Sequence, residues 1–261
     1  MFIPVSSPIA TTHMINQRYY SNIYWHFTGS PEGIDWCKVR SPADIAKQSP
    51  IDSAKARKTL KLILASKKLL GSCTERVIAH LETAKFCCVT DIPLKDLPSH
   101  APYYGKVAIG FKASAVHKAF LPVMYIPKES MPVVEMMVPN RKLTEMANES
   151  LTYQSAFQEQ QAMKLQAQAA CNPELVHKPD IEAMNGFLMN FVKVTDFDTL
   201  PENTFYRERE WRKIGDFSFT VEDVAAVVVP ESFIADARAH LDKQRYPSSI
   251  SIVAWEFIEY A

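Results

Sequence analysis

The stretch YREREWR (Tyr206–Arg212) packs two carboxylates and three guanidinium groups into seven residues. In an extended chain alternate side chains share a face, so Tyr206, Glu208, Glu210 and Arg212 fall together, and Arg207, Arg209 and Trp211 fall opposite. Two carboxylates and an arginine on one face resist burial unless they are paired or used. They could steady a cationic transition state, or they could form an exposed, salt-bridged edge strand. A second candidate is His26 in YWHFTG (Tyr24–Gly29), at the end of an aromatic run with Thr28 and Gly29 just beyond it. A histidine there can grip a ligand, or it can be a core residue bonded to a backbone carbonyl. His100, before APYYG, reads as a loop residue, and Asp91, before Ile92 and Pro93, as turn chemistry. Cys87 and Cys88 read as strand core. No serine, cysteine or threonine stands in a nucleophile elbow.

Composition narrows the chemistry further. The 261 residues hold 29 Lys+Arg and 29 Asp+Glu, so no global field draws the chain to nucleic acid or an anionic membrane. Only seven glycines occur, and none of their spacings gives G-x-G-x-x-G or a P-loop. Rossmann dehydrogenases, P-loop NTPases and protein kinases are therefore disfavoured. The five cysteines lack a C-x-x-C pair, which argues against zinc and for reduced thiols in a cytoplasmic protein. The stretch MFIPVSSPIATTHMINQ lacks a charged n-region and a long apolar run, so it does not read as a signal peptide. No segment has the length of a membrane span.

The elements that must position these residues read as α+β. Aromatic or β-branched runs predict strands at Asn22–Thr28, Lys85–Thr90, Lys106–Phe111, Val123–Ile126, Thr204–Glu210, Val224–Pro230 and Ser249–Phe257. A helix capped by Ser53, with Leu60, Ile63 and Leu64 on one face, is predicted to end near Leu70 and Gly71. Further helices are predicted over Asp180–Val192 and from Glu231 to Arg245. Residues 93–104 form a proline-bearing loop of a length that often carries function. Asn140–Cys171, rich in Gln, Ala and Met, predicts a long surface helix or helix pair. It reads as an insertion, taken as 140–172, in a single domain of residues 1–261. Strands and helices do not alternate regularly, which fits a mixed or antiparallel sheet better than a doubly wound one.

In chain order, YWHFTG, LILASKKL, FCCVTDIPLKDL, HAPYYGKVAIGF, PVMY and EREWR resemble the bacterial AbiGi-type abortive-infection proteins, over Tyr24–Arg212. That resemblance implies the antitoxin half of an anti-phage pair whose toxin is nucleotidyltransferase-like. The same layout resembles an ADP-ribosyltransferase fold, as in DarT-type enzymes and tRNA 2′-phosphotransferases. It implies an NAD-dependent enzyme with Glu210 as the late catalytic glutamate and Glu208 beside it. His26 would hold the NAD ribose, and Tyr104 would pack on nicotinamide, with Tyr103 as its competitor. Thr28 and Gly29 would let the cofactor approach the backbone, and Arg207, Arg209 and Arg212 would meet the phosphates of a nucleic-acid acceptor. A carboxylate against the ribose would steady the oxocarbenium-like state of nicotinamide loss. Two functions thus stand side by side, an NAD-consuming effector and a non-catalytic antitoxin that docks on a partner toxin.

Overall fold

The computed structural model describes residues 21–78, 81–130, 186–200 and 203–260. Its centre is a seven-stranded sheet in the order β13-β12-β6-β1-β5-β10-β7. The strands are β1 (Ile23–Phe27), β5 (Phe86–Thr90), β6 (Ala108–Lys112), β7 (Leu121–Pro122), β10 (Glu210–Ile214), β12 (Val224–Val229) and β13 (Ser251–Ala254). Every pairing in it is antiparallel except β12 with β13. Three short pairs surround it: β2 (Lys68–Leu69) with β11 (Phe217–Ser218), β3 (Arg76–Ile78) with β4 (Leu81–Glu82), and the parallel β8 (Met124–Pro127) with β9 (Val192–Thr195). The α+β expectation with a mixed sheet therefore holds.

Period-two alternation sorts the sheet into two faces. Tyr24, Val89, Ile109, Phe111 and Val227 pack with Leu60, Leu64, Ala237 and Leu241. These last four come from α2 (Ser53–Ser66) and from a later helix, Ile234–Lys243. Trp25, Phe27, Ala108, Ala226 and Val228 face the other way, onto Leu97, Trp255 and Ile258. Position 110 on this second face holds glycine, since a Cβ there would lie 2.6 Å from Ile23 and 2.7 Å from the Trp25 ring. The remaining helices are α1 (Pro42–Ala46), α3 (Ala101–Tyr104), α4 (Ala113–Ala119) and α6 (Trp255–Tyr260), with Ile234–Lys243 as α5.

Several sequence expectations are corrected. Helix α2 is capped by Asp52, whose carboxylate accepts from the Lys55 amide at 2.9 Å, and Ser53 is its first residue. It stops at Lys67, which adopts φ 53°, before Leu70 and Gly71 are reached. The proline-bearing loop is a 3-10 helix, Leu94–His100, running into α3. Thr204–Glu210 is not a strand: Phe205–Glu208 is a 3-10 turn, Arg209 is left-handed at φ 43°, and the strand starts at Glu210. The last strand ends at Ala254, and Trp255 opens a helix. Of the helix expected over Asp180–Val192, only a helical turn at 186–189 falls within the described residues, and β9 begins at Val192. The insertion expected at 140–172 lies outside them.

Candidate functional site

Strands β1 and β5 are paired only at Trp25 and Thr90 and part beyond that point. The half-buried imidazole of His26 fills the gap, with Nδ1 2.8 Å from the Cys88 carbonyl. A carbonyl only accepts, so Nδ1 carries the hydrogen and Nε2 is left as an acceptor. Where the strands diverge lies a cavity of about 270 Å³. Its lining includes His26, Thr28, His100, Tyr104, Glu208 and Glu210. Residues singled out from sequence thus meet around one space, although they arrive from β1, α3 and the 205–214 segment.

The left-handed turn at Arg209 brings Glu208 and Glu210 to the same side without an extended chain between them. Both are buried in an ion network. Arg212 is fully buried, stacked over Phe86 at 4.2 Å, and forks onto Glu210 with contacts of 2.8 and 2.9 Å. It also donates to Glu75 and, at 3.0 Å, to the Asn190 carbonyl. Lys193 on β9 reaches three carboxylates: Glu208 at 2.9 Å, Glu75 at 3.0 Å and Glu210 at 3.1 Å. Its ammonium also lies 4.2 Å from the Phe205 ring centre. The Tyr104 hydroxyl donates to Glu208, and the Glu210 amide donates to the Tyr125 hydroxyl at 2.7 Å.

Environment pushes the two glutamates apart. Burial raises both, but at Glu210 the Arg212 and Lys193 charges outweigh it and hold the carboxyl at about 2. At Glu208 burial prevails over Lys193, so its carboxyl lies above the ordinary value. Burial lowers His26, partly offset by its bond to Cys88, and brings His100 down to about 4 with help from Arg207. Burial, then Glu208, raises the Tyr104 phenol. The site therefore presents two neutral imidazoles, a neutral phenol and carboxylates held by cations.

Other expected roles are redistributed. Thr28 Oγ1 donates to the Ala56 carbonyl at 2.9 Å and ties the end of β1 to α2. Gly29 abuts protein backbone rather than the cavity, for a Cβ there would lie 2.6 Å from the Tyr104 carbonyl oxygen. Tyr103 is buried beside Ile45 and Phe205, under the Arg207 guanidinium. Of the three arginines, Arg212 is buried away from any phosphate, while Arg207 and Arg209 reach the surface and already have partners within the protein. Arg207 donates to the Ser99 carbonyl at 2.7 Å, Arg209 pairs with Asp91 at 3.0 Å, and Arg212 is inside the network. Tyr206 turns outward, 56% exposed. Sequence reasoning missed Lys193 and Glu75; a lone lysine in the apolar run FVKVT was the one available sign of the former. Burial raises the thiols of Cys73 and Cys87 to about 12, which disfavours the nucleophilic thiolate.

The cavity would suit one end of NAD better than the whole. It offers aromatic rings and hydroxyls, but its lining presents three carboxylates against Lys193, an unfavourable setting for a diphosphate. Among the described residues no His, Cys, Asp and Glu side chains group to hold a metal, and no helix is long and apolar enough to cross a membrane.

Comparison with known proteins gives one match. A family model described as "Putative abortive phage resistance protein AbiGi, antitoxin" covers residues 60–256, which include the second half of α2, every strand of the large sheet but β1, and the whole ion network. No curated protein and no solved structure matches, so the ADP-ribosyltransferase likeness rests on the site residues alone. By the family match, the chain belongs to the AbiGi family of abortive phage resistance proteins.

Proposed function

We propose that this chain is the antitoxin of a two-component anti-phage abortive-infection pair and acts by binding its partner toxin. The observation that carries this reading is the family match across three quarters of the chain, in a family described as antitoxin. The electrostatics agree with it: Glu210, the residue best placed for catalysis, is forked onto Arg212 and braced by Lys193, a holding role. The partner that the sequence resemblance implies is nucleotidyltransferase-like, and segment 140–171 is the expected docking arm. Coexpression with a nucleotidyltransferase-like toxin of such a pair, and copurification of the two, is the test. Wild type and Glu210→Gln are both expected to restore growth, and deletion of 140–171 to abolish it. A wild-type chain that neither binds the toxin nor relieves its toxicity would sink the reading.

A second reading is an NAD-consuming ADP-ribosyltransferase effector. The convergence of His26, Tyr104, Glu208 and Glu210 on one cavity favours it. It requires nicotinamide release by the wild type that disappears in a folded Glu210→Gln variant.

A further inference from the structure

The cavity where β1 and β5 part has a charge imbalance that neither reading uses. Glu75, Glu208 and Glu210 line it, with Lys193 as the cation among them. Adding Arg212 behind the wall leaves three carboxylates against two cations, one negative charge in surplus. A buried surplus charge is costly unless a proton or a counter-ion compensates it.

A separate observation points into the same space. His100 lines the cavity and is only 3% exposed, yet neither of its ring nitrogens has a hydrogen-bond partner among the described residues. Its ring nitrogens are open to the cavity rather than sealed in the core, so a ligand that enters can bond to them in place of water. The cavity otherwise offers acceptors. His26 presents Nε2, Tyr104 has given its hydrogen to Glu208, and each carboxylate oxygen retains lone-pair capacity. One wall is aromatic. Phe27, His100 and Tyr104 have ring centres 5.9–6.4 Å apart and planes within 20–34° of one another.

We propose that this cavity binds a small organic cation, a guanidinium or primary ammonium group on a short carbon chain. Its N–H groups donate to Glu208 and the neighbouring acceptors, and its face lies on the Phe27–His100–Tyr104 wall. Charge-assisted hydrogen bonds and a cation over aromatic faces are both strong where water is displaced. A cavity of about 270 Å³ has room for such a head group and a few carbons. The same group can arrive as a free metabolite or on an arginine or lysine side chain of a bound protein. The proposal rests on neither functional reading above.

Calorimetric titration of the wild-type chain with n-butylguanidinium and with n-butylurea tests it, because the two ligands differ chiefly in charge. The expected result is one-to-one binding of the guanidinium, about tenfold or more tighter than the urea. A parallel titration with a short, otherwise neutral peptide bearing one arginine identifies the source. Binding of the peptide at least as tight as n-butylguanidinium assigns the site to a partner's side chain, and binding of n-butylguanidinium alone assigns it to a free metabolite. Absence of one-to-one binding for both cations, or equal affinity for guanidinium and urea, overturns the proposal. The decisive comparison uses the unaltered chain, so it does not depend on Glu208→Gln or His100→Phe folding correctly.

Discussion

At Arg212 a guanidinium with no exposed surface holds two carboxylates and a backbone carbonyl while lying on the Phe86 ring. Truncating it would leave the buried Glu210 and the half-buried Glu75 with Lys193 as the cation between them. Arg212→Ala is therefore expected to lose about 3–5 kcal/mol, read as a shifted midpoint in urea unfolding followed by circular dichroism. Arg212→Lys should recover little of this, because an ammonium cannot make the paired contact with Glu210 or stack on Phe86. Full recovery by lysine would mean that charge alone matters there. The sequence made half of this cluster legible. Glu208, Glu210 and Arg212 lie close together in EREWR, and their mutual attraction could be argued from spacing. Lys193 and Glu75 lie 118 residues apart and meet only through the tertiary fold, so no local pattern announces their pairing.

Among the elements, the junction of β1 with α3 is the tightest constraint on the cavity wall. At Gly29 an added Cβ would meet the Tyr104 carbonyl oxygen at 2.6 Å and the Gly105 Cα at 3.2 Å, both backbone atoms. Gly29→Ala should therefore cost about 1–3 kcal/mol, since neither neighbour can rotate away. A melting temperature within a degree of wild type would show that this junction is softer than the contacts indicate. The elements differ in how well sequence revealed them. FCCVT and VAAVVV are short apolar runs with nearly continuous burial, and they are strands as expected. YREREW has the same alternation as a strand, but the Arg209 turn breaks it, and a left-handed non-glycine residue leaves no mark in the sequence. AWEF carries strand-favouring aromatics, yet burial of Trp255 and Ile258 at helical spacing on the second face turns it into a helix. Segment 140–172 was legible as a change of composition, and it lies outside the described residues.

For the molecule as a whole, acid should act on the buried histidines before the carboxylates. His100 titrates near 4 in the folded chain against an ordinary value of 6.5, and His26 is lowered as well. As pH falls below 6.5 the unfolded histidines take up protons that the folded ones refuse, so stability declines. For His100 alone the loss from pH 6.5 to 5 is about 2 kcal/mol. Glu210, held at about 2, adds a further loss as pH falls from its ordinary value of 4.5 towards 2. Glu208, raised by burial, works in the opposite direction. His100→Phe preserves a flat ring and should flatten the decline between pH 7 and 5. Unfolding midpoints at the two pH values, with an unchanged slope in the variant, would remove His100 from this account.

The strand order also bears on how the chain is made. β1 is the first described strand to be synthesised, yet it lies in the middle of the finished sheet, between β6 and β5. It must wait at the ribosome for partners more than sixty residues downstream. β13, synthesised last, adds to one margin and pairs with β12 alone. A nascent chain can therefore assemble six of the seven strands before β13 emerges, while a chain shortened past Ile23 has no centre on which to build.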